Sequence, residues 1–202
     1  SDTGYDGLNW IKELRKYYSF IFVSEITELQ HLEALSETVD ILQIGSRNMQ
    51  NFELLRECAK TKKTIILKRH FGTGIRDWLA AAEHILVQGN NKVILCERGV
   101  AAPHTHRSTS RYMLDLQAIT AVKEISNLPV ISDPSHASFW AKWVPNLAYA
   151  SVGAGCDGLI IEMHPDPKNS KVDPLQPLSF KQFNKLIIDL KGLAKFFGRK
   201  II

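Results

Sequence analysis

Five stretches of this 202-residue chain run as apolar strands and stop on charged or coordinating residues. They are Ile44-Gly45-Ser46-Arg47, Leu67-Lys68-Arg69, Cys96-Glu97-Arg98-Gly99, Asp133-Pro134-Ser135-His136 and Ile160-Ile161-Glu162-Met163-His164. Guanidinium and ammonium groups bind anions, whereas imidazole and carboxylate groups ligate divalent metals. In a parallel sheet such strand ends lie side by side on one face, so the groups are expected to converge on one site for anions and a metal.

The elements that must position these residues alternate from end to end. Short, mostly β-branched runs over 20–23, 40–44, 64–67, 92–95, 129–132 and 158–161 read as strands. Their near-continuous apolar character implies a parallel sheet covered on both faces. Helical periodicity fits Leu8, Ile11, Leu14 and Tyr18, then Phe52, Leu55 and Ala59, then Trp78, Ala81, Ala82 and Ile85, then Leu116, Ile119 and Val122. A last helix opens at Ser179, where Gln182 completes a capping-box pattern. Strand starts are about 20 to 37 residues apart, as crossover units require, and no linker divides the chain, so a single domain over 1–202 is expected. An eight-unit barrel usually needs about 250 residues. This chain opens with a polar loop and a helix that no strand precedes, as though two units were missing at the front. An open six-stranded sheet explains the same count equally well.

Composition bounds the function class. No apolar run approaches the roughly 20 residues that cross a bilayer, and the start is polar rather than signal-like. No membrane association and a cytoplasmic location are expected. Cys58, Cys96 and Cys156 are scattered without paired spacing, which argues for reduced thiols rather than disulfides or a zinc cluster. The net charge of +4 is spread along the chain, which speaks against a nucleic-acid partner.

The strand-end motifs closely resemble one family. Asp40-Ile-Leu-Gln-Ile-Gly-Ser-Arg-Asn-Met-Gln-Asn-Phe52, Ile66-Leu-Lys-Arg69, Val93-Ile-Leu-Cys-Glu-Arg-Gly99, Val130-Ile-Ser-Asp-Pro-Ser-His136 and Gly158-Leu-Ile-Ile-Glu-Met-His-Pro-Asp-Pro167 look like 3-deoxy-D-arabino-heptulosonate 7-phosphate (DAHP) synthase of the short, bacterial Iβ type. The likeness covers essentially the whole chain in collinear order. It implies a TIM (β/α)8 barrel with about six of eight units present, and a metal-dependent condensation of phosphoenolpyruvate with erythrose 4-phosphate at the head of the shikimate pathway. A sister family, 3-deoxy-D-manno-octulosonate 8-phosphate synthase, shares Cys-Glu-Arg-Gly. Here Thr109-Ser-Arg-Tyr-Met-Leu-Asp-Leu116 is similar to the heptulosonate enzymes' Thr-Arg-Asn-Thr-Leu-Asp, and Asp-Pro-Ser-His replaces Asp-x-Thr-His. Erythrose 4-phosphate is therefore preferred to arabinose 5-phosphate.

By motif match the resemblance makes Arg47, Lys68 and Arg98 the phosphoenolpyruvate ligands. Arg47 and Arg98 suit the phosphate through forked donors, and Lys68 suits a place between phosphate and carboxylate. Each residue taken singly reads as a surface ion pair, and it is the recurrence at successive strand ends that favours a site. His136, Glu162 and Asp173 match the metal ligands in order and spacing, for Mn, Fe, Co or Zn. Lys68, His136 and Glu25 are the catalytic candidates. Glu25 matches a glutamate that orients water, or else is a carboxylate at a helix start.

Other residues carry less. Arg107 and Arg111 are candidates for the second phosphate; His104 and His106 read as a metal pair or, more readily, as part of a Ser/Thr-rich solvated loop. Alternation turns Arg69 outward. His164 either supports the site or fills the barrel mouth. Asp133 and Ser135 read as supporting partners or turn formers. His70 is a departure from the usual Gly-Phe-Met, of open meaning. Cys96 is declined as a ligand, since a buried cysteine is a common core residue. The family's Gly-Pro-Cys-Ser cysteine ligand and its Lys-Pro-Arg-Thr loop are absent from this sequence. Two readings follow: a synthase whose front lies outside this sequence, or a non-catalytic relative that binds or regulates. A chain that naturally begins at Ser1 is expected to show negligible synthase activity. A homo-oligomer is expected, as barrel enzymes commonly pair.

Overall fold

β-branched residues restrict the backbone to extended conformations and pack well on a pleated surface, so the apolar runs form strands and the amphipathic stretches between them form helices. The structure, a computed structural model, describes residues 4–102 and 112–201. Its elements are α1 (Gly4–Leu14), β1 (Val23–Ile26), α2 (Leu32–Thr38), β2 (Ile41–Ile44), α3 (Phe52–Lys60), β3 (Thr64–Lys68), α4 (Ile75–Leu86), β4 (Val93–Glu97), α5 (Leu116–Ile125), β5 (Val130–Ser132), α6 (Pro134–Ser138), α7 (Val144–Gly153), β6 (Gly158–Leu159) and α8 (Phe180–Phe196). The strands follow one another in the sheet in sequence order, β1 to β6. The chain is an α/β fold of the TIM-barrel class with six strand–helix units. It divides into two compact units, 1–95 and 96–202.

In the first unit β1, β2 and β3 are parallel, with Glu25 opposite Gln43 and Gln43 opposite Ile66. Alternation gives the two faces of this sheet different jobs. Ile26, Leu42, Ile44, Ile65 and Leu67 share one face, and all are fully buried. The helices that cover them bring Leu35 from α2, Leu54, Leu55, Cys58 and Ala59 from α3, and Trp78, Ala81, Ala82 and Ile85 from α4. Glu25, Gln43, Ile66 and Lys68 share the other face. Asn51 caps α3 by accepting the Leu54 N–H at 3.2 Å.

In the second unit β5 pairs in parallel with β6. Val144 and Ala148 of α7, Leu178, and Leu186 and Leu190 of α8 form one core cluster. Asp115 caps α5 through the Ala118 N–H at 3.0 Å. Ser179 and Gln182 cap α8 reciprocally, as the sequence pattern requires.

The first strand differs from expectation. The run 20–23 was read as the strand, but pairing begins only at Val23. Phe20 and Ile21 are 62% and 71% exposed, and Phe20 stacks on Tyr18 at 5.1 Å. The ladder is set by Asp40, whose carboxylate accepts the Phe22 N–H at 2.7 Å while the Phe22 carbonyl accepts from Asp40 and Ile41. Glu25 therefore lies within β1 rather than after it. Helix α1 stops at Leu14, short of Tyr18, and β6 closes after two residues.

Candidate active site

The polar face of the first unit ends in three candidate residues. Lys68 closes β3 and is 5% exposed. Arg47 sits in the single turn of 3-10 helix that follows β2, Ser46–Asn48, and is exposed. Glu25 is exposed on β1, and its carboxylate lies against Gly45: a Cβ built there would come within 2.0 Å of Glu25 Oε1. Gly45 thus makes room for the glutamate, and Gln43 Nε2 approaches its other oxygen at 3.5 Å. Alternation places Arg69 opposite Lys68, yet outward does not mean solvent here. α4 covers that side, so Arg69 is 4% exposed, lies 5.8 Å over the Trp78 ring and donates to the Thr73 carbonyl from Nε and a terminal nitrogen at 3.1 and 2.8 Å. His70 shapes its own turn, its Nδ1 accepting the Gly72 N–H at 3.1 Å.

In the second unit the end of β4 folds against the segment that follows β5. The Asp133 N–H donates to the Glu97 carbonyl at 2.8 Å, and the Tyr112 N–H to the Ala137 carbonyl at 3.2 Å. Glu97 is fully buried, and its Oε1 accepts the Gly99 N–H at 2.7 Å and the Asp115 N–H at 3.3 Å. Arg98 is 7% exposed and its Cζ stands 4.5 Å over the Tyr112 ring. One terminal nitrogen of that guanidinium is buried without a hydrogen-bond partner among the described residues.

His136 is held by the turn it belongs to. Asp133, fully buried, caps α6 by accepting the His136 N–H at 3.0 Å, and Pro134 fits the first helical turn. The second Asp133 oxygen stands 2.8 Å from His136 Nδ1, although that nitrogen makes no aligned hydrogen bond, so the contact is electrostatic. His136 Nε2 lies 3.1 Å from Glu162 Oε1. The Glu162 N–H in turn donates to Ser135 Oγ at 3.0 Å, which ties the two segments together. Donors about 2.0 to 2.2 Å from a divalent ion sit roughly 3 Å from each other, so this spacing fits an edge of a coordination shell. A carboxylate behind the imidazole is the usual support for a ligating histidine. Among the described residues no three His, Cys, Asp or Glu side chains are gathered so as to hold a metal. His136 and Glu162 are brought together, whereas Asp173, half-buried with φ of +46° and its carbonyl accepting the Gln176 N–H at 3.1 Å, is not gathered with them. His164 shapes its own turn: its Nδ1 lies 2.7 Å from the Asp166 carbonyl and 3.1 Å from the Asp166 backbone nitrogen. Arg107 and Arg111, like His104 and His106, lie outside the described residues.

Sequence reasoning missed Gln43 and Tyr112. The signal for Gln43 was the period-2 pattern that puts it level with Glu25; Tyr112 carries no local signal, since its position depends on the turn at Gly99.

The first unit thus ends β3 on the buried Lys68, and the second unit carries the buried Arg98 and holds His136 against Glu162, residue types with which barrel enzymes handle anions and metals at strand ends. The DAHP synthetase I family model matches residues 3–196, and the chain belongs to that family. It is 37% identical over 198 residues to phospho-2-dehydro-3-deoxyheptonate aldolase of Thermotoga maritima, covering 98% of this chain and 58% of the relative. Against 2-dehydro-3-deoxyphosphooctonate aldolase of Acinetobacter baylyi it is 27% identical, covering 93% and 67%. The crystal structure of the Thermotoga maritima DAHP synthase superposes with a TM-score of 0.94 at 36% identity, over 98% of this chain and 58% of that one. A truncated form of the Thermotoga enzyme gives the same TM-score and identity, with 75% of its length covered. The chain thus spans little more than half the length of the heptulosonate relative.

Proposed function

We propose that this chain, acting as one catalytic domain over 1–202, serves DAHP synthesis: phosphoenolpyruvate and erythrose 4-phosphate condense to DAHP and phosphate, the first step toward aromatic amino acids. The observation that carries the reading is the buried Arg98 guanidinium with a terminal N–H group unmet, beside the segment that holds His136 against Glu162. A buried N–H without a partner costs about 1 to 3 kcal/mol, which a phosphate or carboxylate oxygen would recover. Arg47 and Lys68, each at the end of its strand, are the further cations for a substrate that carries both groups. Higher identity to the heptulosonate relative than to the octulosonate one favours erythrose 4-phosphate over arabinose 5-phosphate.

In this reading C3 of phosphoenolpyruvate attacks the aldehyde carbon, water adds at C2, and phosphate leaves by carbon–oxygen cleavage. Arg98 and Lys68 hold the phosphate and carboxylate while charge redistributes. Glu25, kept in place by the space at Gly45, orients the water. Asp133 fixes the His136 ring. A divalent ion, Mn, Fe, Co or Zn, held by His136 and Glu162 with Asp173 as the third donor by motif match, would polarise the aldehyde oxygen. Among the described residues no helix is long and apolar enough to cross a membrane; we place the protein in the cytoplasm, as a homo-oligomer without nucleic-acid or membrane partners.

The test is consumption of phosphoenolpyruvate with erythrose 4-phosphate against arabinose 5-phosphate, with and without chelator, alongside direct phosphoenolpyruvate binding by the chain. The reading expects binding that Arg98→Ala weakens at least tenfold, and any turnover to favour erythrose 4-phosphate and to stop with chelator. Preference for arabinose 5-phosphate would overturn the substrate assignment, and unchanged binding by Arg98→Ala the site.

A further inference from the structure

Arg98 is a buried cation that leans on an aromatic ring. Its Cζ lies 4.5 Å from the Tyr112 ring centroid, and one of its terminal nitrogens has no hydrogen-bond partner among the described residues. A planar guanidinium stacked on a ring is held in orientation without spending its in-plane N–H donors. A carboxylate in the same place would fix the group too, but would neutralise its charge and occupy the fork.

The backbone brings Tyr112 to this position from both sides. Gly99, immediately after Arg98, has φ of +95°, and a Cβ there would come within 2.7 Å of Tyr112 Cβ and 3.1 Å of Ala137 Cβ. Val100 and Met113 then exchange backbone hydrogen bonds of 2.9 Å, while the Tyr112 N–H bonds to the Ala137 carbonyl. The glycine turn, the Val100–Met113 bridge and the His136 segment therefore together fix the ring beneath the guanidinium.

We infer that Tyr112 is a positioning residue whose ring holds the Arg98 guanidinium flat, with its N–H edge free for a phosphate or carboxylate oxygen. The inference rests on Arg98 being a phosphoenolpyruvate ligand.

Titration calorimetry of phosphoenolpyruvate into the full chain tests it, with Tyr112→Leu, Tyr112→Phe and Arg98→Lys compared and urea midpoints measured in parallel. Removal of the ring is expected to weaken binding about tenfold without moving the urea midpoint, whereas phenylalanine stays within about twofold. If the leucine variant does not fold, Tyr112→Asn supplies a ring-free polar alternative. Leucine binding as tightly as tyrosine, phenylalanine binding as weakly as leucine, or a fall in midpoint parallel to the loss of affinity would each overturn the positioning role. Failure of the ligand reading looks different: the unsubstituted chain does not bind phosphoenolpyruvate, or Arg98→Lys leaves affinity untouched.

Discussion

Substitution of Gly99 by alanine is the sharpest test of how the Arg98 turn is built. Its φ of +95° lies where an L-residue is strained, at roughly 1 to 2 kcal/mol. The new methyl would also meet Tyr112 Cβ at 2.7 Å and the Ala137 backbone at 3.2 Å, contacts that no rotamer change can relieve. Forcing a methyl into such a wall costs about a further 1 to 3 kcal/mol, and the stiffer unfolded chain returns roughly 0.4 to 1 kcal/mol. The net expectation is a loss of about 3 kcal/mol, or a fall of about 1 M or more in the urea midpoint. Gly155→Ala is the internal control: its φ is +90° in the same unit, but the nearest atom to a new Cβ is Lys123 Cδ at 4.0 Å. It should lose only the strain, about 1 kcal/mol. Equilibrium urea unfolding followed by circular dichroism measures both. The packing argument is refuted if Gly99→Ala proves no more costly than Gly155→Ala.

Other consequences are equally direct. Gly45→Ala has no backbone strain, at φ of −66°, and displaces only the Glu25 carboxylate, so its unfolding free energy should stay within about 1 kcal/mol of the parent while any turnover falls as it does in Glu25→Gln. Burial pushes the Cys58 thiol up to about 12 and Cys156 to about 11, so both should resist a thiol reagent such as Ellman's at pH 8 in the native state and react fully in urea. The Phe22 N–H, and after it the Arg15 guanidinium, hold the Asp40 carboxyl below its ordinary value. A depressed carboxylate stabilises the fold above its unfolded pKa and ceases to as pH falls through the folded one. Asp40→Asn should therefore cost below about 1 kcal/mol at pH 7, given a pair more than a third exposed, and in pH-dependent urea melts the cost should begin to fade only as the pH falls below about 4 and disappear once the folded carboxyl is protonated. Arg98→Met should abolish phosphoenolpyruvate binding yet keep the unfolding free energy from urea melts within about 1 kcal/mol of the parent or raise it, because the unmet buried N–H disappears with the charge.

How much of this was legible depended on which physical term governed each residue. β2 to β5 could be read within two residues at each end, because Val, Ile and Leu there are placed by burial, which composition reports. β1 could not: Phe20 and Ile21 are as apolar as any strand residue, but the Asp40 carboxylate and its neighbours set where pairing starts, 18 positions away in sequence. α7, rich in Ala, Ser and Gly, offers no strong amphipathic stripe and was not foreseen, and α2 spans only seven residues. Among the candidate site residues, the approach of His136 to Glu162 could be anticipated because each follows a strand, and so could the place of Arg98 at the end of β4. Arg69 faces outward as alternation requires, but its burial under α4 was not legible, since alternation gives the face and not what covers it. Asp173 lies in an irregular segment, where matching order and spacing in sequence do not by themselves fix where a carboxylate points.

The distribution of buried charge ties these strands of argument together. Among the described residues the buried charged side chains are Lys68, Arg69, Glu97, Arg98 and Asp133, and all five lie at or just after the ends of β3, β4 and β5. A fold selected for stability alone gains nothing from them, since apolar residues of similar volume generally serve as well or better in such places. Arg69, Glu97 and Asp133 spend their polar atoms on the Thr73 carbonyl, on the Gly99 and Asp115 N–H groups and on His136, that is, on the turns that carry their neighbours. These bonds fix the backbone on either side of Lys68, Arg98 and His136. Arg98 then keeps one buried terminal nitrogen without a hydrogen-bond partner among the described residues. Building turns accounts for the burial of Arg69, Glu97 and Asp133, whereas the buried donor of Arg98 is left for an oxygen from outside the chain, as the proposed phosphoenolpyruvate site requires.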